Sequence, residues 1–149
     1  MGMTDPMYHY TESGLRNVWL ANGYKIRNVG GEEAAAIHDV DELHRAIGRN
    51  LARKARLTGA ELRFLRKEMG LSQNRLAEML GSTEQTVSLW ERRGRMPVGY
   101  DRLLRAFYLE FLDGNVKLKE MVDRLVDLDR KDDEKTVFED TDTGWKRAA

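Results

Sequence analysis

A short, mostly polar run followed by three arginines is the part of this sequence best suited to bind another molecule. The run comprises Thr83, Glu84, Gln85, Ser88 and Leu89, and the arginines are Arg92, Arg93 and Arg95. Apolar Val87 and Trp90 are spaced so that the run occupies the outward face of a short helix. Amide, carboxylate and hydroxyl groups form hydrogen bonds with a partner, and guanidinium groups bind phosphate. The pattern therefore indicates a binding surface.

The sequence offers no support for catalytic or metal-binding chemistry. It contains no Cys, which excludes disulfides, thiolate zinc sites and cysteine nucleophiles and fits a reducing, cytoplasmic compartment. Ser13 and Ser82 lack the Gly-x-Ser-x-Gly context of a nucleophile elbow, and no glycine-rich phosphate loop with Lys is present. The histidines, His9, His38 and His44, do not form a zinc-binding cluster. We expect no catalytic residue, no metal and no cofactor.

Residues 1–56 predict a small β-rich module with a connecting helix. Runs rich in Val, Trp, Tyr and Ile are separated by Asn22-Gly23 and Gly30-Gly31, which supply the positive φ of tight turns, so two or three short strands are expected. Asp39 and Glu42 then form a capping box for a helix that runs to about Arg53. Its apolar positions recur at helical spacing: Val40, Leu43, Ile47 and Leu51.

Residues 57–112 predict short amphipathic helices joined by tight turns. Thr58 with Glu61 and Ser82 with Gln85 read as capping boxes, and Ser72 as a single cap; Gly70, Gly81 and Gly94 end the first three helices, and Pro97 precedes the fourth. Leu76, Val87 and Trp90 face inward, while the small Ala77 lets two helices approach closely. This is the arrangement of a helix-turn-helix, whose second helix enters the major groove of DNA.

These residues resemble the phage-repressor (Xre or Cro-type) helix-turn-helix family. The resemblance rests on Leu71-Ser72-Gln73, Leu76-Ala77, Leu80-Gly81, Thr86-Val87-Ser88 and Trp90-Glu91. It implies a five-helix DNA-binding domain that acts as a dimer on a palindromic operator. The expected fold is mainly α, with a small β-rich N-terminal module, this five-helix domain and a C-terminal helix.

The resemblance also assigns roles to residues. Base reading falls on Glu84, Gln85, Ser88 and Leu89, and backbone contacts fall on Gln73 and Thr86. We add Thr83, Arg75, Arg92, Arg93 and Arg95 to the backbone contacts from position and charge. Gln85 would pair with adenine, and Glu84 would accept a hydrogen bond from cytosine N4. Glu84 and Leu89 both depart from the family pattern, so Leu89 either touches a thymine methyl group or reads no base.

The wider layout is similar to that of MqsA-type antitoxins, in which a small β-rich module and a connecting helix precede such a domain. Those relatives bind zinc through paired cysteines, which this chain lacks. Zinc binding is therefore not carried over. We expect packing to replace the metal, through Tyr8, Val18, Trp19, Leu20, Tyr24 and Ile26.

The formal net charge of the 149 residues is zero, but the charge is unevenly distributed. Residues 51–112 hold 12 Lys and Arg against 7 Asp and Glu, so they carry +5, whereas residues 1–50 carry −2 and residues 113–149 carry −3. Charge asymmetry of this kind suggests a polyanionic partner for the middle segment. No apolar run is long enough to span a membrane, so no membrane partner is expected.

The C-terminal part predicts a helix over 113–130 and an acidic, disordered tail over 131–149. The apolar residues of the helix lie on one face: Leu118, Met121, Val122, Leu125 and Leu128. The tail is poorly patterned, and Phe138 and Trp145 are its large apolar residues, which suggests docking points.

Two functions remain open from the sequence. The first is a sequence-specific transcriptional regulator, a repressor that binds double-stranded operator DNA as a homodimer. The alternative is an antitoxin-type protein-binding module that masks a toxin, with DNA binding secondary or autoregulatory. The helix-turn-helix string and the basic middle segment favour the first, whereas the extra N-terminal module and the acidic flanks favour the second.

Overall fold

The structure is a computed structural model that describes residues 7–114, 120, 122, 123, 125, 126 and 137–148. Four short strands come first: β1 Tyr8–His9, β2 Trp19–Leu20, β3 Tyr24–Val29 and β4 Glu32–Ile37. Within the continuously described residues 7–114, the helices are α1 Val40–Ala52, α2 Gly59–Glu68, α3 Gln73–Leu80, α4 Glu84–Arg93 and α5 Val98–Leu112. A last strand pair comprises β5 Phe138–Thr141 and β6 Gly144–Arg147. The expected mainly α fold with a small β-rich N-terminal module is confirmed at this level.

The N-terminal strands form two separate antiparallel pairs. β1 pairs with β2, placing Tyr8 opposite Leu20, and β3 pairs with β4, placing Tyr24 opposite Ile37. The predicted turn at Gly30-Gly31 is confirmed, because both glycines have the positive φ, +59° and +87°, that a two-residue hairpin requires. The sequence predicted two or three strands rather than four, since strands of two residues are too short to produce an alternating pattern.

Packing of the N-terminal module differs from the prediction. Trp19 and Ile26 were expected to be buried, yet their side chains are 54% and 53% exposed. Trp19 stacks instead on the His9 ring, with 4.1 Å between ring centroids. Most of the β3–β4 hairpin is exposed, so alternation along β3 does not bury Ile26. The buried side chains of the module include Tyr10 and Leu15, which the sequence analysis did not single out.

Side-chain caps mark the beginning of α1, α2, α3 and α4. Thr58 and Glu61 form the predicted capping box at α2, and the Asp39 and Ser72 side chains accept hydrogen bonds from the first turns of α1 and α3. The prediction of Ser82 as the cap of α4 was wrong by one residue, because Thr83 accepts the bond from the Thr86 amide. The Ser82 amide is instead used to close α3, donating to the Ala77 carbonyl at 2.8 Å.

One apolar core joins the helices and includes part of the N-terminal module. Leu65, Leu76, Val87 and Leu104 are completely buried in it, and Leu51 and Ala52 of α1 belong to the same cluster. α1 packs against both α5 and α2. Residues 1–56 were predicted as a module with a connecting helix, and through these contacts α1 joins that module to the helices that follow.

In the C-terminal part, the residues described within the predicted helix, 120, 122, 123, 125 and 126, are helical, and the predicted tail contains strands. Val122 packs against the core, while Leu118, Met121 and Leu128 of the predicted apolar face lie outside the described residues. The segment predicted as a disordered tail contains the β5–β6 hairpin. Phe138 and Trp145 lie on this hairpin and are 61% and 72% exposed.

Candidate nucleic-acid interface

α3 and α4 pack closely and form the two helices of the predicted helix-turn-helix. Leu76 and Ala77 of α3 and Val87 of α4 are at most 2% exposed and belong to one core cluster. Trp90 is half-buried against the core, with its ring 5.3 Å from that of Tyr100. The apolar positions of α4 thus face inward, as predicted, and its opposite face is left to solvent.

A buried ion pair fixes α4 to α2. The Arg66 guanidinium donates two hydrogen bonds to the Glu91 carboxylate, from Nε at 2.8 Å and from Nη2 at 3.0 Å, and a third from Nη1 to the Leu71 carbonyl at 2.8 Å. Both side chains are 10% exposed or less. A bidentate pair of this geometry restricts rotation of α4 about its own axis. The sequence does not predict this pair, because nothing local relates residues that are 25 positions apart.

Gly59 allows the start of α2 to lie directly against the end of α4. A Cβ atom at this position would stand 2.4 Å from the Glu91 carbonyl oxygen and 2.5 Å from that of Trp90. These are backbone atoms, so they cannot turn aside as a flexible side chain does. The close approach places the first turn of α2 beside the C-terminal end of α4.

A buried carboxylate holds the segment before α2 against α5. Asp101 is completely buried, accepts the Leu57 amide at 2.9 Å and binds Arg105 Nε at 2.6 Å. Arg105 also donates to the Lys54 carbonyl at 2.6 Å. Both ends of α2 are therefore positioned by hydrogen bonds to other elements, which the sequence did not reveal.

The predicted base-reading residues lie together at the exposed side of α4. Glu84, Gln85 and Leu89 are exposed, and Ser88 is partly exposed one turn after Glu84. Asn74 of α3 donates to the Glu84 carboxylate at 3.5 Å, a long contact that leaves this side chain accessible. Leu89 is 46% exposed. This face offers an amide, a carboxylate, a hydroxyl and a small apolar surface to a partner.

The predicted backbone-contact residues flank this face, and with one exception they form no ion pair to a described residue. Gln73 is the first residue of α3, while Thr83 and Thr86 share a hydroxyl–hydroxyl contact of 2.8 Å at the start of α4. Arg92, Arg93 and Arg95 are exposed beyond the other end of the face. The exception is Arg75, which is half-buried and pairs with Glu78 at 2.9 Å and with Asp123.

The ion pairs of Arg75 affect both its pKa and its availability to a phosphate group. Partial burial alone would lower the pKa of Arg75, but the carboxylates of Asp123 and Glu78 outweigh it and raise the pKa above its ordinary value. Its positive charge is largely balanced by these carboxylates, so Arg75 is expected to attract a phosphate group less strongly than the arginines near the end of α4. The sequence did not show this, because Asp123 is 48 residues away.

Comparison with known proteins supports the helical part of this site. Residues 62–98 match the helix-turn-helix family model, a span that runs from α2 to the first residue of α5 and covers less than half of the chain. A search of curated proteins and a search of solved structures found no match. The chain thus contains a helix-turn-helix domain, and this class of domain supports a DNA-binding regulator.

Two further observations concern other kinds of site. In the part of the chain that the structure describes, no helix has the length and apolar character of a membrane span. Across the same residues, no three His, Asp or Glu side chains come together as potential metal ligands. His44 is bonded on both ring nitrogens, to the Tyr10 hydroxyl at 2.8 Å and to Glu68 at 3.3 Å.

Proposed function

We propose that this chain is a sequence-specific DNA-binding transcriptional regulator, a repressor that binds double-stranded operator DNA as a homodimer. The observation that carries the proposal is that one side of α4 is fixed to the core while its opposite side is exposed. Arg66 and Glu91 fix its inner side, whereas Glu84, Gln85 and Leu89 are exposed on its outer side. A rigid helix with an accessible polar face is what base reading in the major groove requires.

The proposed mechanism separates positioning from reading. Arg92, Arg93 and Arg95 contact phosphates and set the register of the protein on the duplex. Gln85 pairs with adenine through its amide, and Glu84 accepts from a cytosine amino group. Because the whole chain has no net charge, binding depends on the fit of this face more than on general attraction. The proposal involves no catalytic step, metal or cofactor, and places the protein in the cytoplasm.

The Gln85→Ala variant tests the reading step. It removes the amide without disturbing the core, because Gln85 is exposed. We expect it to relax base preference at one operator position and to weaken specific binding by about 1–3 kcal/mol. The measurement is a gel-shift titration against the region upstream of the protein's own gene, with each base pair of the site varied and random DNA as competitor.

Arg93→Ala is the matched control for that experiment. Arg93 is exposed on the same helix, but its proposed partner is a phosphate. Its loss should weaken binding to all sequences about equally and reduce the dependence of log K on log salt by about one unit. If Gln85→Ala leaves base preference unchanged, or if binding is independent of salt, the proposed function is wrong.

A second candidate function is that of an antitoxin whose main partner is a protein. The observation that favours it is the β5–β6 hairpin, which exposes Phe138 and Trp145 in an acidic segment. Apolar side chains exposed on a charged hairpin are suited to bind a partner with a basic, partly apolar surface. An RNA-cleaving toxin has the basic site that such a segment would cover.

Co-expression with the adjacent gene distinguishes the two candidates. A toxin-masking protein is expected to co-purify with the small neighbouring gene product and to lose it when Trp145 is replaced by Ala. Full repression of the target promoter by this chain alone, without any such partner, would argue for the regulator as the primary function.

A further inference from the structure

A cationic cleft lies between the N-terminal module and the C-terminal end of α4. We name it the Arg16 cleft. Its walls are the loop between β1 and β2, the segment after α1, the first turn of α2 and the end of α4, and its volume is about 650 Å³. The residues that line it include Arg16, Asn17, Lys54, Arg92, Arg93 and Arg95.

The acidic residues of the Arg16 cleft are already neutralised. Glu91 is held by Arg66, and Glu61 accepts hydrogen bonds from Lys54 Nζ at 2.6 Å and from the Thr58 amide at 2.8 Å. Within the described part of the chain, by contrast, Arg16 makes no side-chain hydrogen bond or ion pair. The cleft therefore has a surplus of positive charge that its own carboxylates do not balance.

The same holds for two of the arginines on the opposite wall. Arg93 and Arg95 are exposed, and neither has an ion pair to any described residue. Guanidinium groups that converge on one concave surface repel one another unless an anion lies between them. Their planar donor pattern matches the oxygens of a phosphate group, and a concave wall concentrates the field of the cations.

We propose that the Arg16 cleft binds phosphate groups and that the DNA backbone supplies them, which makes the N-terminal module part of the DNA-binding surface. This inference rests on the proposed function. Gln85, Ser88 and Arg92 follow one another on one side of α4, so Arg92 lies about 10 Å along the helix from Gln85. A DNA strand that passes the base-reading face therefore reaches the cleft, where Arg16 and Asn17 contact its next phosphates.

The Arg16→Ala variant tests this inference, with Arg27→Ala as the matched control. Both arginines are exposed and belong to the N-terminal module, but Arg27 lies on β3, away from the cleft. We expect Arg16→Ala to reduce the slope of log K against log salt by about one unit, whereas Arg27→Ala leaves it unchanged. Arg16→Lys keeps the charge and should restore most of the slope, which a purely structural role of Arg16 would not explain.

A second measurement uses inorganic pyrophosphate without DNA and separates this inference from the proposed function. If the full chain binds no DNA, the proposed function fails. A rise in Tm with pyrophosphate that is lost in Arg16→Ala would still show that the cleft binds free phosphate groups. No rise in Tm would then reject the cleft as well. If the chain binds DNA but Arg16→Ala and Arg27→Ala have the same salt slope, the DNA backbone is rejected as the source of the phosphates.

Discussion

Individual arginines of the basic middle segment have different roles that a charge count does not distinguish. Arg66 is 8% exposed and entirely committed to Glu91 and Leu71, and Arg105 is committed to Asp101 and Lys54. These pairs remove a positive and a negative charge together, so they leave the surplus of +5 in residues 51–112 unchanged. Arg92, Arg93 and Arg95, by contrast, are exposed at the end of α4 and just after it.

Tyr108 allows a prediction at the scale of one residue. Its side chain is completely buried, and its hydroxyl has no hydrogen-bond partner among the described residues. Removing an unsatisfied buried hydroxyl relieves a desolvation cost of about 1–3 kcal/mol, less any packing that is lost. Tyr108→Phe is therefore expected to leave the free energy of unfolding unchanged or to raise it, measured by urea denaturation at pH 7.

The pH dependence of this variant follows from the same burial. Burial, with a smaller contribution from Glu68, raises the pKa of Tyr108 to about 12 from its ordinary value of 10.0. The unfolded chain therefore loses the phenolic proton at a lower pH than the folded chain does. The stability that the raised pKa of Tyr108 contributes is complete below pH 10 and declines as the pH rises towards 12. The stability of Tyr108→Phe relative to the natural chain should increase between pH 9.5 and 11. A constant difference would contradict the assignment.

At the scale of elements, the positions of glycines determine how closely the helices approach. Gly59 brings α2 against the end of α4, and Gly48 makes room on α1 for the buried ring of Tyr108 on α5. The sequence predicted the helices and most of their caps, since these depend on residues three or four positions apart. It did not predict that these helices approach closely, because a glycine in a helix gives no local indication of which element packs against it.

Gly59→Ala should disrupt both stability and DNA binding. The added Cβ would lie 2.4 Å from a backbone oxygen of α4, so α2 and α4 must separate. We expect a loss of about 1–3 kcal/mol in the free energy of unfolding, typical of overpacking, and weaker binding to operator DNA. Urea denaturation and gel-shift titration measure the two effects.

Gly99→Ala is the control for that variant. Gly99 also lies in a helix, but a Cβ there would meet nothing within 4 Å. Replacing it should stabilise the fold by about 0.4–1 kcal/mol, because the unfolded chain loses conformational freedom. Equal stability of the two variants would show that α2 and α4 do not depend on this contact.

At the scale of the whole molecule, the two ends of the chain relate differently to the helical core. The N-terminal module is attached to it, since Leu15 belongs to the core cluster and Tyr10 contacts His44 of α1. The β5–β6 hairpin instead exposes its large apolar side chains. The N-terminal strands and loop are thus attached to the packed core, whereas the C-terminal hairpin presents an exposed apolar surface.

A pair of truncations to alanine tests this difference. Leu15 is 4% exposed, so Leu15→Ala should lower the free energy of unfolding of the helical domain by about 2–5 kcal/mol. Trp145 is 72% exposed, so Trp145→Ala should change it by less than about 0.5 kcal/mol. Thermal and urea unfolding followed by circular dichroism measure both. A large effect of Trp145→Ala would mean that the hairpin supports the core.

Local chemistry in the sequence determined the helices of the binding domain, their order and the outward face of α4. The caps at Thr58 and Ser72 and the inward positions of Leu76 and Val87 follow from spacings of three or four residues, which the chain encodes directly. The same rule accounts for the error at Ser82, where two adjacent residues can each serve as the cap and only the ending of α3 selects between them.

Tertiary structure decided which charges are accessible. The main contacts join residues that are far apart in the chain, so no local pattern predicts them. The separations are 25 positions for Arg66 and Glu91, 48 for Arg75 and Asp123, and 44 for Leu57 and Asp101. Each contact arises because packing of the apolar faces brings distant side chains together, and burial then requires every ion to find a partner. That selection sequesters Arg66 and Arg75 and leaves Arg16, Arg93 and Arg95 free to face a common cleft.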